Sequence, residues 1–199
     1  EFVKWLAKQN DEVRETFKED YLALYDAEVA QNDSAFGRVL SWLEARGRYR
    51  DTMVVFVSDH GEGFWEHGVN GHGWDLFEEA LRVPLVMKTP GSEKAGQRRR
   101  EVVQHVDLVP TLLEAAGLEV PVALAGRSLL RPPAANDDGR VVFSEMTYEG
   151  REGLAVRWRQ YKLIEPLSSD FLPRRSLFDL DVDPGEMNPI TERPVISAW

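Results

Sequence analysis

Met53 to Gly73 read MVVFVSDHGEGFWEHGVNGHG, an apolar run that leads into a loop holding three of the four histidines of the chain. The run from Met53 to Val57 is continuous and rich in β-branched residues, which is typical of a strand buried on both faces of a parallel sheet. It ends at Ser58 to Gly61, read as SDHG. Ligands of open α/β sheets gather at the carboxyl ends of strands, so the position of Asp59 and His60 predicts a binding site. Carboxylate and neutral imidazole are ordinary ligands of divalent cations.

The sequence around this stretch has the pattern of an α/β layer. Apolar residues three and four apart predict a long amphipathic helix over residues 10–46, with a break near Gln31 to Ser34. Gly47 is predicted to end this helix. Asp107 is interpreted as the N-cap of a later helix. The elements predicted after the loop are a short helix at 76–81, a buried strand at 84–88, an edge strand at 102–103 and a helix at 107–116.

The pattern changes beyond residues 132–139, which read PPAANDDG and are dense in turn formers. Short strands are predicted at 141–146, 153–158, 161–165 and 176–180. Arg159-Gln160 is predicted to be a hairpin turn between the second and third of these strands. The predicted organisation is therefore an α/β part over 1–131, a linker at 132–139 and a small antiparallel subdomain over 140–199.

Composition limits the function classes. The chain has 199 residues, of which 43% are hydrophobic, enough for a sizeable core. Its net charge of −10 disfavours nucleic acid as a partner. It has no cysteine, which excludes disulfides, thiolate metal sites and a thiol nucleophile. No apolar stretch approaches the ~20 residues of a membrane span. The opening EFVKWLAKQN reads as the start of a segment of a longer protein, so any targeting signal would lie upstream of Glu1.

Eight short motifs follow one another in order along the chain. They are SDHGE (58–62), EHG (66–68), GHG (71–73), a Glu-Glu pair (78–79), RVPLV (82–86), DLVPTLLEAAG (107–117), GRSLL (126–130) and LFDLDVDPGEMNPI (177–190). Together they resemble the sulfatase branch of the alkaline-phosphatase superfamily, and ordered matches are more specific than one short motif. The resemblance implies part of an alkaline-phosphatase-like mixed or parallel sheet flanked by helices, followed by a small antiparallel sheet subdomain.

The resemblance also implies a metal site. In similar enzymes the pair at Asp59 and His60 supplies two ligands of one divalent cation, which polarises the ester oxygens. Calcium is the ion expected first, with manganese and zinc as alternatives because imidazole is a softer ligand. The competing interpretation from the residues alone is that Asp59 caps a turn and His60 is a buried imidazole with satisfied hydrogen bonds.

His72 lies twelve residues beyond His60, where many sulfatases have a lysine that touches the sulfate oxygens. It is predicted to be catalytic, donating to a substrate oxygen or protonating the leaving group, with a structural role as the alternative. Glu62 and His67 are predicted to support the site without touching the metal, or only to shape the loop. His105 is interpreted as a packing or capping residue.

The sequence lacks the Cys/Ser-x-Pro-x-Arg nucleophile motif of sulfatases and the two further aspartate ligands of an N-terminal strand. We therefore interpret it as the C-terminal part of a sulfatase-like hydrolase whose isolated segment is inactive. Its expected partners are a small sulfate or phosphate ester and the missing N-terminal part of the same protein. One alternative is a phosphodiesterase, phosphonate monoester hydrolase or phosphoethanolamine-type transferase of the same superfamily. The other is a non-catalytic scaffold or binding module.

Overall fold

The computed structural model describes residues 11–92, 95–131, 139–169 and 174–191. Its described residues form two compact units. The first unit holds residues 11–55, 64–70 and the described part of 87–95, and the second unit holds the remaining described residues. The linker predicted at 132–139 lies outside the described residues except for Gly139, so the predicted domain division stays a prediction.

The first unit is built on helix α1, which runs from Asp11 to Ala45. The break predicted at Gln31 to Ser34 is wrong, because the helix is continuous there. Gln31 is a good helix former, and the next three residues cost only a few tenths of a kcal/mol each. Ser34 Oγ also accepts a hydrogen bond from Arg38 one turn later at 3.1 Å. The predicted stop is confirmed, since Gly47 adopts a φ of +63° just after the helix.

The apolar stripe predicted for α1 is only partly buried. Tyr21 is its buried member, and its ring packs edge-on against Phe64 and Trp65 with centroid distances of 5.7 and 5.5 Å. Other members of the stripe are exposed, namely Leu24, Tyr25, Val29 and Val39. No helix among the described residues is both long and apolar enough to cross a membrane.

Two small sheets form within or next to the stretch from Met53 to Gly73. Strands β1 (Val54–Val57) and β4 (Leu85–Lys88) pair in one sheet, and β2 (Gly63–Phe64) and β3 (Asn70–Gly71) pair in the other. Helix α2 (Glu78–Leu81) lies between β3 and β4 in the chain. The strands predicted at 53–57 and 84–88 are confirmed, but the burial of β1 on both faces is wrong, because Phe56 is 40% exposed. A two-stranded sheet has few neighbours to cover its faces. The edge strand predicted at 102–103 does not form.

Helix α3 (Leu108–Ala115) follows a short 3₁₀ turn, His105–Asp107. Asp107 occupies the predicted N-cap position of α3, but its side chain bonds no N–H group of this helix. The 3₁₀ turn already gives Asp107 a helical backbone, with φ −77° and ψ −17°, whereas a capping residue needs an extended one. Its buried carboxylate instead accepts two hydrogen bonds of 2.7 Å from Arg140.

The second unit ends in an antiparallel sheet of four strands in the order β5-β6-β7-β8, which confirms the predicted C-terminal sheet. The strands are β5 (Val141–Tyr148), β6 (Arg151–Trp158), β7 (Tyr161–Pro166) and β8 (Ser176–Asp179). The predicted hairpin turn is present, with Arg159 at a φ of +55°. The hydrophobic core of this unit comprises Leu76, Phe77, Ala155, Ile164, Phe178 and Leu180.

Candidate metal and active site

The loop after β1 presents Asp59 and His60 side by side. Nδ1 of His60 lies 2.8 Å from the carbonyl oxygen of Gly61. A carbonyl only accepts hydrogen bonds, so Nδ1 carries the proton and Nε2 keeps its lone pair, which is the usual state of a metal-binding histidine. Asp59 Oδ2 lies 3.7 Å from this Nε2. Two ligands at about 2.0–2.6 Å from one cation are separated by about this distance.

The carboxylate of Asp59 is ionised and accessible. Its Oδ1 accepts a hydrogen bond from the backbone N–H of His60 at 3.0 Å. This bond, together with the adjacent imidazole, holds the pKa of Asp59 below its ordinary value. The side chains of Asp59 and His60 are 86% and 43% exposed, so the interpretation of His60 as a buried imidazole is wrong.

Backbone contacts from two elements fix the position of this loop. The N–H of Gly61 donates to the carbonyl of Ala80 in α2 at 2.8 Å. His105, at the start of the 3₁₀ turn, has its Nε2 2.8 Å from the carbonyl of Ser58. The hydroxyl of Ser58 in turn donates to the carbonyl of His60 at 2.6 Å. His105 is thus a structural residue, as the sequence predicts, and the structure adds that it holds the segment carrying Asp59 and His60.

His72 and Glu62 form a hydrogen-bonded pair beside this loop. Nδ1 of His72 lies 2.9 Å from Glu62 Oε2, and the carboxylate accepts, so Nε2 of His72 is the nitrogen left to face a ligand. The ring of His72 stacks on that of His60 with a centroid distance of 4.0 Å. Glu62 is 15% exposed and His72 is 55% exposed. The carboxylate therefore orients a solvent-accessible imidazole next to His60.

The structure brings three of the predicted site residues into one group. Ligand atoms of His60, Glu62 and His72 lie within 4.8 Å of one another. Two imidazoles and a carboxylate suit zinc, manganese or iron(II), and the Asp59 and His60 pair also suits a divalent cation. The residues present therefore fit a metal ion, and His60 belongs to both possible ligand sets.

One predicted residue lies outside this group, and two contacts near it were not predicted from the sequence. His67 lies in the 64–70 segment of the first unit and is not part of this group. The hydrogen bond from His105 joins positions 47 residues apart, and no local pattern predicts such a contact. The contact of Arg151 with the ring of Trp74 was also missed, although a Glu-Gly turn between two predicted strands marks the hairpin that carries it.

Comparison with known proteins identifies the family. The sequence model described as Sulfatase matches residues 3–118, more than half of the chain. The chain belongs to the sulfatase family. A second model, described as N-sulphoglucosamine sulphohydrolase, C-terminal, matches residues 66–198. Sulfatases are metal-dependent, in agreement with the ligand chemistry of the loop.

Individual relatives agree with this assignment. The N-acetylglucosamine-6-O-sulfatase of Bacteroides thetaiotaomicron is 30% identical over 184 residues, which cover 86% of this chain and 32% of the relative. A solved structure in complex with its substrate D-glucosamine-2-N,6-O-disulfate is 28% identical, with a TM-score of 0.78 over 96% of this chain and 40% of the other. The phosphonate monoester hydrolase of Agrobacterium radiobacter is 26% identical, with a TM-score of 0.69 over 85% of this chain and 37% of the other. The chain thus spans about a third of the length of the Bacteroides sulfatase.

Proposed function

We propose that this chain is the C-terminal part of a sulfatase that hydrolyses a sugar sulfate ester by metal-assisted nucleophilic attack. The observation that carries this proposal is the geometry after β1. There the free Nε2 of His60 and the ionised carboxylate of Asp59 lie 3.7 Å apart on a loop fixed by backbone hydrogen bonds. The nucleophile and the remaining ligands would come from residues outside this sequence.

Each site residue has a proposed role. Asp59 and His60 bind one divalent cation, with calcium proposed first and manganese or zinc as alternatives. When bound, this ion supplies Lewis-acid polarisation of the ester oxygens. His72 donates a hydrogen bond through Nε2 to the leaving or a non-bridging oxygen of the substrate, and Glu62 holds the imidazole in the required orientation. A supporting role for His67 stays a prediction.

The substrate class is proposed from the relatives. One acts, by its description, on N-acetylglucosamine 6-O-sulfate, and one similar structure holds a disulfated glucosamine as its substrate. The chemistry of the site agrees with an anionic ester, because a cation and a hydrogen-bond donor both stabilise negative charge on oxygen. A sulfated amino sugar is therefore the proposed substrate.

The second candidate function is hydrolysis of a phosphonate monoester. It is favoured by the similarity to the Agrobacterium enzyme and by the histidine at position 72, where many sulfatases have lysine. Histidine places less fixed positive charge beside the substrate than lysine does. A site with less fixed positive charge can accept an ester with another charge distribution.

Turnover by a full-length protein carrying this chain tests the proposal. We expect release of sulfate from N-acetylglucosamine 6-O-sulfate, loss of activity after chelation, and recovery when a divalent cation is restored. Faster hydrolysis of a phenylphosphonate monoester under the same conditions would support the second candidate. Absence of turnover together with absence of bound metal would support a non-catalytic scaffold.

A further inference from the structure

An aromatic ring extends the surface of the site beyond His72. Trp74 follows His72 after a single glycine, and its indole folds back towards the loop. A Cβ atom placed on Gly71 would lie 3.7 Å from Trp74 Nε1 and 3.6 Å from Glu62 Oε1. Gly71 is therefore flanked by the indole and by the carboxylate that orients His72.

The tip of the β5–β6 hairpin covers this indole with a second aromatic ring and a cation. Tyr148 and Arg151 are paired residues at the tip. The Tyr148 ring meets Trp74 edge-on, with a centroid distance of 5.6 Å and an angle of 85°. The guanidinium carbon of Arg151 lies 4.6 Å from the centroid of the same indole. The Tyr148 ring also packs on the backbone of Gly73, where an added Cβ would lie 3.3 Å from its Cγ.

The charge of Arg151 has no acidic partner in the part of the chain that the structure describes. None of the ion pairs among the described residues includes it, although the chain carries a net charge of −10. The contact with Trp74 holds the guanidinium over the ring, and no described carboxylate forms an ion pair with its N–H groups. Tyr148 is 45% exposed, so an oriented cation and an accessible aromatic ring lie together beside the catalytic loop.

We propose that Trp74, Tyr148 and Arg151 form an anion subsite for a second negatively charged group of the sugar substrate. A planar guanidinium binds sulfate or carboxylate through two parallel hydrogen bonds, and the neighbouring aromatic ring offers a flat surface for a sugar ring. The inference rests on the proposed function, because it concerns the substrate of the same site. The subsite makes the protein selective for sulfated sugars that carry an additional anionic group.

A purely structural role for Arg151 makes a different prediction. If the stacked guanidinium only ties the hairpin to Trp74, its loss should lower activity on all substrates alike. If it binds substrate, its loss should raise KM only for substrates with a second anion. Arg159 provides a matched control, because it stacks on Trp158 at 4.7 Å beyond the opposite end of the eight-residue strand β6.

The experiment compares the full-length wild-type protein with its Arg151→Gln and Arg159→Gln variants. The substrates are N-acetylglucosamine 6-O-sulfate, glucosamine 2-N,6-O-disulfate, and a 6-O-sulfated disaccharide whose second sugar carries a carboxylate. We expect Arg151→Gln to lower kcat/KM by ~10- to 100-fold, through KM, for one or both of the substrates with a second anion. The loss on the monosulfate should stay within about 3-fold, and Arg159→Gln should change none of the three.

The outcomes separate the inference from the proposed function. A selective loss on the disulfate identifies a second sulfate as the ligand, and a selective loss on the disaccharide identifies a carboxylate. Equal losses on all three substrates, with wild-type turnover intact, would overturn the subsite. Absence of wild-type turnover would instead contradict the proposed function. If Arg151→Gln folds poorly by circular dichroism, Arg151→Lys replaces it in the experiment. This variant keeps the charge and should retain part of the selectivity. A complete loss of selectivity in Arg151→Lys, with normal folding, would also count against the subsite.

Discussion

His72 can offer only one ring nitrogen to a substrate, because the other donates to Glu62. Replacing His72 with Ala in the full-length protein should lower kcat by ~10²- to 10⁴-fold for esters with poor leaving groups. The loss should be smaller for a nitrophenyl sulfate, whose leaving group needs no protonation. Steady-state kinetics on the two substrate classes, with metal analysis of the same samples, measures this. An emptied metal site, or equal losses for good and poor leaving groups, would assign His72 to the metal instead.

Gly61 tests how tightly the loop that carries Asp59 and His60 is held. An added Cβ would lie 1.8 Å from the carbonyl oxygen of Glu79, so Gly61→Ala must displace the loop from α2 and with it His60. We expect a loss of about 1–3 kcal/mol in the free energy of unfolding and at least a ~10-fold weaker metal affinity. Gly37→Ala is the control, because nothing lies within 4 Å of its added Cβ and the helix should gain stability. Unchanged metal affinity in Gly61→Ala would show that the contact does not position the site.

At the level of residues, the sequence predicts which side chains directly follow a strand. It predicts less well which distant side chains the fold brings to the same place. Asp59 and His60 could be identified because they are adjacent and follow an apolar strand. The hydrogen bond between Glu62 and His72 spans ten positions of a glycine-rich loop. Its geometry depends on backbone angles that glycine leaves open, so the pairing could not be derived from spacing.

A buried ion pair between Asp107 and Arg140 lies at the start of α3. Burial disfavours the ionised form of Asp107, but hydrogen bonds from Arg140, Arg127 and Gln104 outweigh this and hold its pKa below the ordinary value. A carboxyl group whose pKa is lower in the folded state stabilises the fold above its unfolded pKa of about 3.9, and this contribution is lost as the pH falls through the folded value.

Asp107→Asn should therefore destabilise the protein at pH 7 by about 3–5 kcal/mol, because Arg140 loses its charged partner. The difference from the wild type should narrow as the pH falls below the unfolded pKa of about 3.9 and on through the lower folded pKa of Asp107. Denaturant unfolding at pH 7 and pH 3 measures both quantities. Asp33→Asn on the exposed face of α1 is the matched control and should change stability by less than about 0.5 kcal/mol. A pH-independent difference would mean that the charge of Asp107 is not the stabilising feature.

The helices, the main strands and the C-terminal hairpins could be predicted because local pattern and turn residues determine them. The strands of the C-terminal sheet read as short β-rich runs, and the Arg159-Gln160 turn fixes their register. The predicted edge strand at 102–103 does not form, because its two apolar residues have no partner strand among the described residues. The Asp107 side chain makes no capping bond to α3, because its carboxylate accepts hydrogen bonds from Arg140, 33 residues away, and from the backbone N–H of Gln104.

At the scale of the whole molecule, the chain holds one part of a catalytic site. In the proposed site Asp59 and His60 supply two ligands, and the sequence carries no nucleophile motif of the family. A purified protein of residues 1–199 alone should therefore show no turnover of aryl sulfates and only weak metal binding, because a partial coordination sphere leaves the cation largely to water. Activity assays and calorimetric titration with calcium, manganese and zinc check both expectations. Turnover by this segment would contradict the proposed division of the site.

The metal content of the full-length protein tests the central claim most directly. Elemental analysis of the wild type should find about one divalent ion per chain, since the proposed site binds a single cation. Asp59→Asn should lose most of this ion while its circular dichroism spectrum is unchanged, because Asp59 is a solvent-exposed side chain that the fold does not need. Equal metal content in the two proteins would contradict the assignment of Asp59 as a metal ligand and, with it, the proposed site.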